Sequence, residues 1–303
     1  MIRLLISLFS AINRQRGERK MSNRIRLIGL DLDGTLLNDK KQLNLIDEYK
    51  IEKAMEKGVI VVPVTGRPKK GIPDNIEKLF HSSYIITSNG AVTTDVKLQK
   101  NIDGAYLSSK TALHIVELIQ RQQEDIKVEI FADGIGYVEK NQLNIIKEFY
   151  RGTNLESYFH TSRIPVNNIN KLIINRNEDI AEISIMTQSI AIKDRIQKLL
   201  ARFEDIKITS SVQTDLEINA TNAGKGLALL RLAKRLGIHN SEIMACGDSG
   251  NDIEMLQSAG IAVAMGNANE EIKKVADFVT LSNEENGVAY AIDRFILDEL
   301  VGK

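Results

Sequence analysis

Two short apolar runs that end in carboxylates constrain the fold of this chain more than any other feature. Ile25 to Leu30 leads into Asp31-Leu32-Asp33-Gly34-Thr35, and Ile243 to Cys246 leads into Gly247-Asp248-Ser249-Gly250-Asn251-Asp252. Continuous apolar runs of this length, bounded by turn residues, read as buried strands. In an open parallel sheet, ligands bind in the crevice beyond the carboxyl ends of the strands. Side by side, two such strands would pool their carboxylates at one point. Oxygen donors carrying that much negative charge call for a hard cation, most naturally Mg²⁺.

The rest of the chain supports an α/β frame. Asn44 to Lys57 has helical periodicity and stops at Gly58, a C-cap residue. Val59 to Val64 is a β-branched run suited to a strand covered on both faces. It ends at Thr65-Gly66-Arg67-Pro68 and is followed by a helix over Asp74 to Phe80. Tyr84 to Thr87 then reads as a third strand before the turn Ser88-Asn89-Gly90. A βαβαβ order implies parallel strands with helices on both faces.

Between about residues 104 and 211 the rhythm changes. Helices are expected over Ser109 to Gln123 and Ala191 to Phe203. Strands are expected over Lys127 to Phe131, Gly136 to Glu139, Lys171 to Ile174 and Ile183 to Thr187. Such runs imply an α+β unit on an antiparallel sheet, inserted into an α/β domain made of residues 21–103 and 212–303. The alternation returns with a helix from Lys225 to Leu236, a helix over Asn251 to Ser258 and a strand at Ile261 to Ala264.

Composition narrows the function classes. Lys+Arg and Asp+Glu both number 40, so there is no basic excess of the kind a nucleic-acid or membrane-surface binder carries. No segment approaches the ~18 consecutive apolar residues of a membrane span. The single cysteine, Cys246, excludes an internal disulfide framework, fits a cytoplasmic location and reads as core. Residues 1–20 are apolar first and basic afterwards, the reverse of a secretion signal, and are read as an over-called start or a frayed extension.

On an extended backbone Asp31 and Asp33 leave the same face. Two such close carboxylates suit a nucleophile paired with a general acid and base, although an ordinary Asp-Gly turn has the same residues. An EF-hand is excluded because its obligatory Gly would fall at Leu36. Thr65, Gly66 and Arg67 offer a hydroxyl and free amides to phosphate oxygens, or simply end a strand. Lys225 opens a helix, where its charge opposes the dipole unless an anion lies beside it. The surrounding residues fail the Walker A pattern, since Asn219 stands where the first Gly is needed. Asp248 is the natural second metal ligand, with Ser249 able to offer its carbonyl or a bound water. Asn251 is placed to bridge to phosphate or orient Asp31, and Asp252 is read chiefly as a helix cap. His81, His114, His160 and His239 show no ligand spacing.

Taken in order, Asp31-Leu32-Asp33-Gly34-Thr35, Thr65-Gly66-Arg67, Lys225 and Gly247-Asp248-Ser249-Gly250-Asn251-Asp252 resemble the four motifs of the haloacid dehalogenase superfamily. The short first gap, the long insert between the second and third motifs, and Ser88-Asn89-Gly90-Ala91 are similar to its Cof-like, class IIB phosphatases. The resemblance spans about residues 22 to 297. It implies a Rossmann-like core with an α+β cap, and a Mg²⁺-dependent phosphatase of small phosphorylated metabolites; the chain is expected to be cytoplasmic and a monomer or homodimer. Asp31 would be nucleophile and metal ligand, and Asp33 the acid/base whose backbone carbonyl also reaches Mg²⁺. Leu32 N–H, Thr65, Gly66, Lys225 and Asn251 would contact phosphate, with Asp248 completing the metal site and Ser249 nearby. Arg67 and Asp252 would support them. A phosphomutase using the same covalent step and a non-catalytic metabolite-binding module are the alternatives. Lys69-Lys70 and Asn219-Ala220-Thr221-Asn222 depart from the family's usual residues and bear on substrate fit, as do Lys127, Glu129, Asp133, Tyr137 and Arg163 in the insert.

Overall fold

The computed structural model describes residues 24–297 apart from 123, 125, 150, 154, 177–178 and 211–212. The N-terminal extension read over residues 1–20 lies outside these. The first five strands are β1 (Leu27–Leu30), β2 (Ile60–Pro63), β3 (Tyr84–Thr87), β4 (Val92–Asp95) and β5 (Lys100–Gly104). Next come β6 (Lys127–Ala132), β7 (Ile135–Glu139), β8 (Arg163–Val166), β9 (Ile180–Met186), β10 (Ile206–Thr209) and β11 (Asp215–Ala220). The last are β12 (Ile243–Gly247), β13 (Ile261–Ala264) and β14 (Phe278–Val279). Helices α1 (Leu45–Glu56), α2 (Asp74–Leu79), α3 (Ser109–Gln120), α4 (Lys140–Phe149), α5 (Glu156–Ser162) and α6 (Ile169–Ile174) occupy the first part of the chain. They are followed by α7 (Ile190–Leu200), α8 (Lys225–Arg235), α9 (Ile253–Ser258), α10 (Glu270–Val275) and α11 (Gly287–Ile292).

A parallel sheet in the order β14-β13-β12-β1-β2 forms the core. Leu30 pairs with Cys246 and with Pro63, so the loops after β1, β2 and β12 leave at one edge. Alternation along these strands sorts side chains to opposite faces. Leu27, Val62 and Ala245 pack with Leu229 and Leu232 of α8, whereas Ile28, Val61, Met244 and Cys246 pack with Ile51 of α1 and Val288 of α11. Both faces are covered, which is why these strands carry no polar alternation.

A second sheet runs β10-β11-β9-β6-β7-β8, antiparallel except for β7 against β8. Its last-entering strand, Asp215–Ala220, lies beyond residue 211, where composition alone places the return to the core. One face is apolar: Val128, Ile130, Ile183, Ile185, Leu216 and Ile218 pack with α3 and α7. The intervening residues, among them Glu129, Glu182, Glu217 and Asn219, are buried on the other face, toward the ends of the core strands.

Two elements differ from expectation. Lys171 to Ile174 is not a strand but part of α6: Asn168 caps it by accepting from Lys171 N at 2.8 Å. Ile169 and Ile173, four apart, are buried, whereas Ile174 is exposed. The isoleucines signal strand by type but helix by spacing. The third strand, β3, meets the parallel sheet only at one parallel bridge, Val64 to Ile86. Its hydrogen bonds run instead to an antiparallel β3-β4-β5 sheet, because the turn at 88–90 sends the chain straight back.

Candidate active site

Asp31 follows β1 and Asp248 follows β12, the parallel register brings both to the same edge of the sheet, and Lys225, which opens α8, reaches them there. Lys225 is 2% exposed, and its Nζ donates to Asp31 Oδ1 at 2.7 Å, Asp252 Oδ1 at 2.7 Å and Asn251 Oδ1 at 3.2 Å. Carboxylate oxygens of Asp31, Asp248 and Asp252 all lie within 4.8 Å of one another. Burial raises the Asp31 carboxyl well above the usual aspartate range, with the Asp252 charge adding to it and Lys225 opposing it. Asp248 is pushed up to about 6, again by burial and then by Asp252. Burial disfavours the Lys225 ammonium, but the Asp252 and Asp31 charges outweigh it and hold the proton on.

The remaining contacts are structural supports for these groups. Thr35 Oγ1 donates to Asp248 Oδ1 at 3.0 Å. Gly34 has φ +87°, and a Cβ there would stand 2.5 Å from Asp248 Oδ2, so only glycine allows this approach. Asp252 is more than a helix cap. Its Oδ2 accepts from Asp248 N at 3.1 Å and Ser249 N at 3.0 Å, while Oδ1 serves Lys225. Both of its oxygens are committed, which makes it a support for the cluster rather than an open ligand. Ser249 is likewise engaged: Oγ donates to Asn251 Oδ1 at 2.7 Å and its carbonyl accepts from Asp252 N at 3.0 Å.

Asp33 does not share the cluster. Arg67 Nε and Nη2 donate to its two oxygens at 2.6 and 2.7 Å, and Lys41 Nζ lies 2.9 Å away. Burial would raise its pKa, but the hydrogen bonds and charge of Arg67, with Lys41, bring it down to about 2. The same-face expectation assumed an extended chain. Leu36 N to Asp31 O and Leu37 N to Leu32 O instead wrap the loop immediately after β1. Leu32 is buried in the apolar core, and Thr65 Oγ1 accepts from Arg67 N at 3.1 Å. A Cβ on Gly66 would lie 3.2 Å from Asn89 Oδ1.

Two groups went unassigned in the sequence. Asn89 donates to Glu182 and Glu217 and accepts from Asn251; its signals in the sequence are the turn Ser88-Asn89-Gly90 and the resemblance carried by Ser88-Asn89-Gly90-Ala91, neither of which assigns it a role. Tyr158 of α5 stacks on Arg67 at 4.7 Å and on Arg163 at 4.4 Å. Arg163 is buried with Glu129, 2.8 Å away. Lys70 N also donates to Gly134 O at 2.8 Å, so the β6–β7 turn and α5 both rest on the segment after Arg67.

A parallel sheet that gathers carboxylates, a buried lysine and a hydroxyl-bearing loop at one edge is a Rossmann-like α/β frame with an acidic site at its strand ends. Sequence comparison places it: the haloacid dehalogenase-like hydrolase family model matches residues 28–292, and the chain belongs to that family. It is 33% identical over 290 residues to the phosphatase YwpJ of Bacillus subtilis, covering 90% of this chain and all (100%) of that protein. It is 30% identical to the 5-amino-6-(5-phospho-D-ribitylamino)uracil phosphatase YcsE of the same organism, over 90% of this chain and 96% of that one. The structure of a haloacid dehalogenase-like hydrolase from B. subtilis superposes with a TM-score of 0.80 at 31% identity, covering 90% of this chain and 100% of the other. Among the described residues no helix is long and apolar enough to cross a membrane.

Proposed function

We propose that this protein is a Mg²⁺-dependent phosphatase of small phosphorylated metabolites that works through an aspartyl-phosphate on Asp31, with the second sheet and its helices as the cap. The observation that carries this reading is the contact of Lys225 Nζ with Asp31 Oδ1 at 2.7 Å inside a cluster of carboxylates drawn from both halves of the chain. The donor set fits a hard cation. It is all oxygen, and the neighbouring thiol of Cys246 is buried in the apolar core. Asp31 and Asp248 would hold Mg²⁺, which would neutralise charge between the carboxylate nucleophile and the phosphate.

The chain's own residues account for the steps. A carboxylate oxygen of Asp31 attacks phosphorus in line as the bond to the leaving oxygen breaks, and Asp33 gives that oxygen its proton. Water then attacks the phosphoryl group, its proton passes to Asp33, and Asp31 is released with inorganic phosphate. The proton that Asp33 gives in the first step is the one it regains from water in the second, and its ion pairs with Arg67 and Lys41 favour the anion that exists between the two steps, so Asp33 would leave those partners to act as the acid. Lys225, held by three acceptors, supplies fixed positive charge to the phosphoryl oxygens without reorganising. That one relative is named for a phosphorylated ribityl compound favours small polyhydroxylated monoesters.

A metabolite panel assayed for phosphate release with Mg²⁺ tests the reading. Net phosphate release is expected, and isomerised sugar phosphate without release would indicate a mutase instead. Asp31→Asn should lower kcat on the order of 10⁴-fold or more with an unchanged circular dichroism spectrum. Retained turnover in that variant rules out Asp31 as nucleophile.

A further inference from the structure

We infer that Asn89 is a positioning residue: it orients the Asn251 amide toward Lys225 and takes its own orientation from Glu182 and Glu217 on the cap strands, an assignment that rests on Lys225 acting at the phosphate site as proposed above. The direction of the chain of hydrogen bonds follows from donor and acceptor chemistry. Asn89 Nδ2 has two hydrogens, and both are spent on carboxylates, Glu182 Oε2 at 3.0 Å and Glu217 Oε2 at 3.0 Å. Its Oδ1 is thereby turned to Asn251 Nδ2 at 3.2 Å. Asn251 in turn must present Oδ1 to the Lys225 ammonium at 3.2 Å and to Ser249 Oγ at 2.7 Å. Reversing Asn89 would turn an NH₂ group against the NH₂ of Asn251, and a reversed Asn251 would set donors against the ammonium.

The backbone of the turn shows how firmly Asn89 is placed. Ser88, Asn89 and Gly90 have φ of 49°, 52° and 89°, a left-handed run costly for the first two. Contacts from every side hold it. Ser88 N donates to Arg67 O and Asn89 N to Thr65 O. Asn219 Nδ2 of β11 donates to Ser88 O at 3.1 Å, and Arg231 of α8 to Gly90 O at 3.3 Å. A Cβ on Gly90 would stand 2.1 Å from Gly224 O, the residue before Lys225. Asn89 thus joins the Thr65 loop, the start of α8, the Asn251 loop and two cap strands. Asn89, Asn219, Lys225 and Asn251 also line one small cavity. The cap carboxylates are part of the phosphate site through it, although neither touches Lys225 in this arrangement.

Asn89→Gly removes the amide and keeps a residue that accepts the left-handed backbone. With an aryl phosphate and Mg²⁺, kcat should fall about 10- to 100-fold, the worth of one charge-assisted hydrogen-bond network, with KM changing less. Calorimetric binding of inorganic phosphate in Mg²⁺ should weaken about tenfold. Glu182→Gln with Glu217→Gln replaces two groups that only accept by two that can donate or accept, so the direction is no longer imposed, and should also lower kcat. Adding Asn89→Asp to that pair should restore it, because the new carboxylate accepts from both glutamines and still accepts from Asn251. An active wild type whose Asn89→Gly variant stays within twofold in kcat and in phosphate affinity overturns the assignment, as does a triple variant no better than the glutamine pair. A wild type that neither turns over phosphomonoesters nor binds phosphate overturns the proposed function, and the assignment with it.

Discussion

Asp252 shows how much of the site depends on a residue that contributes no open ligand. One oxygen holds Lys225 and the other collects the amides of Asp248 and Ser249. A buried carboxylate stays charged only when it is paired and hydrogen-bonded, and removing one partner of a buried pair costs about 3–5 kcal/mol. Asp252→Ala should therefore destabilise the protein by roughly that amount, measured from urea midpoints, and abolish phosphate release. Asp252→Asn keeps an acceptor for only one of the two roles and should fold better than the alanine variant while remaining poorly active. If both variants unfold at the wild-type urea concentration, Lys225 is not held as the distances indicate.

At the level of elements, α1 and α11 are joined by a buried titratable group outside the acidic cluster. Asp47 of α1 is 1% exposed and accepts from Ala289 N of α11 at 2.7 Å and from Asn44 Nδ2 at 3.3 Å. Burial outweighs both hydrogen bonds and raises its pKa from about 3.8 to about 6. The folded protein thus keeps a proton that the unfolded chain has released, so stability is greatest below the lower value and declines as pH rises through the upper one. Asp47→Asn keeps an oxygen for Ala289 N without that titration. It should match the wild type near pH 4 and exceed it by up to about 3 kcal/mol at pH 7, read as the difference between denaturant curves at the two pH values. A constant difference across that range would show that Asp47 does not titrate as argued.

The same scale explains what could be read from the chain. Strands β1, β2, β12 and β13 are continuous apolar runs, and their covered faces leave no competing pattern. The loops that follow them carry their functional residues next to the strand ends, so the site's members were legible locally. Strands β4 and β5 were not, since Val92–Asp95 and Lys100–Gly104 are half polar and find their pairing only through the 88–90 turn. Contacts such as Asn89 with Glu217, or Asp33 with Arg67, join residues far apart in sequence and depend on side-chain direction after a loop, which periodicity does not encode.

For the whole molecule, the site is a junction between two sheets that share no strand. Tyr158 lies between Arg67 of one unit and Arg163 of the other, and Asn89 ties the turn of one to two strands of the other. Asp31 and Asp248 themselves come from opposite ends of the chain and meet only when β1 and β12 pair. A divalent ion bound by both therefore binds the folded state and not the unfolded one, and it stabilises folding by mass action, about 2.7 kcal/mol at a hundredfold excess over Kd. Mg²⁺ added to protein stripped with EDTA should raise the urea midpoint accordingly and restore phosphate release, and excess EDTA should reverse both. Asp248→Ala should lose the Mg²⁺ increment and the activity together while keeping its metal-free stability, because taking away a crowded carboxylate relieves repulsion from Asp31 and Asp252. A wild type whose unfolding is indifferent to Mg²⁺ at millimolar concentration would overturn the proposal that Asp31 and Asp248 hold a divalent cation.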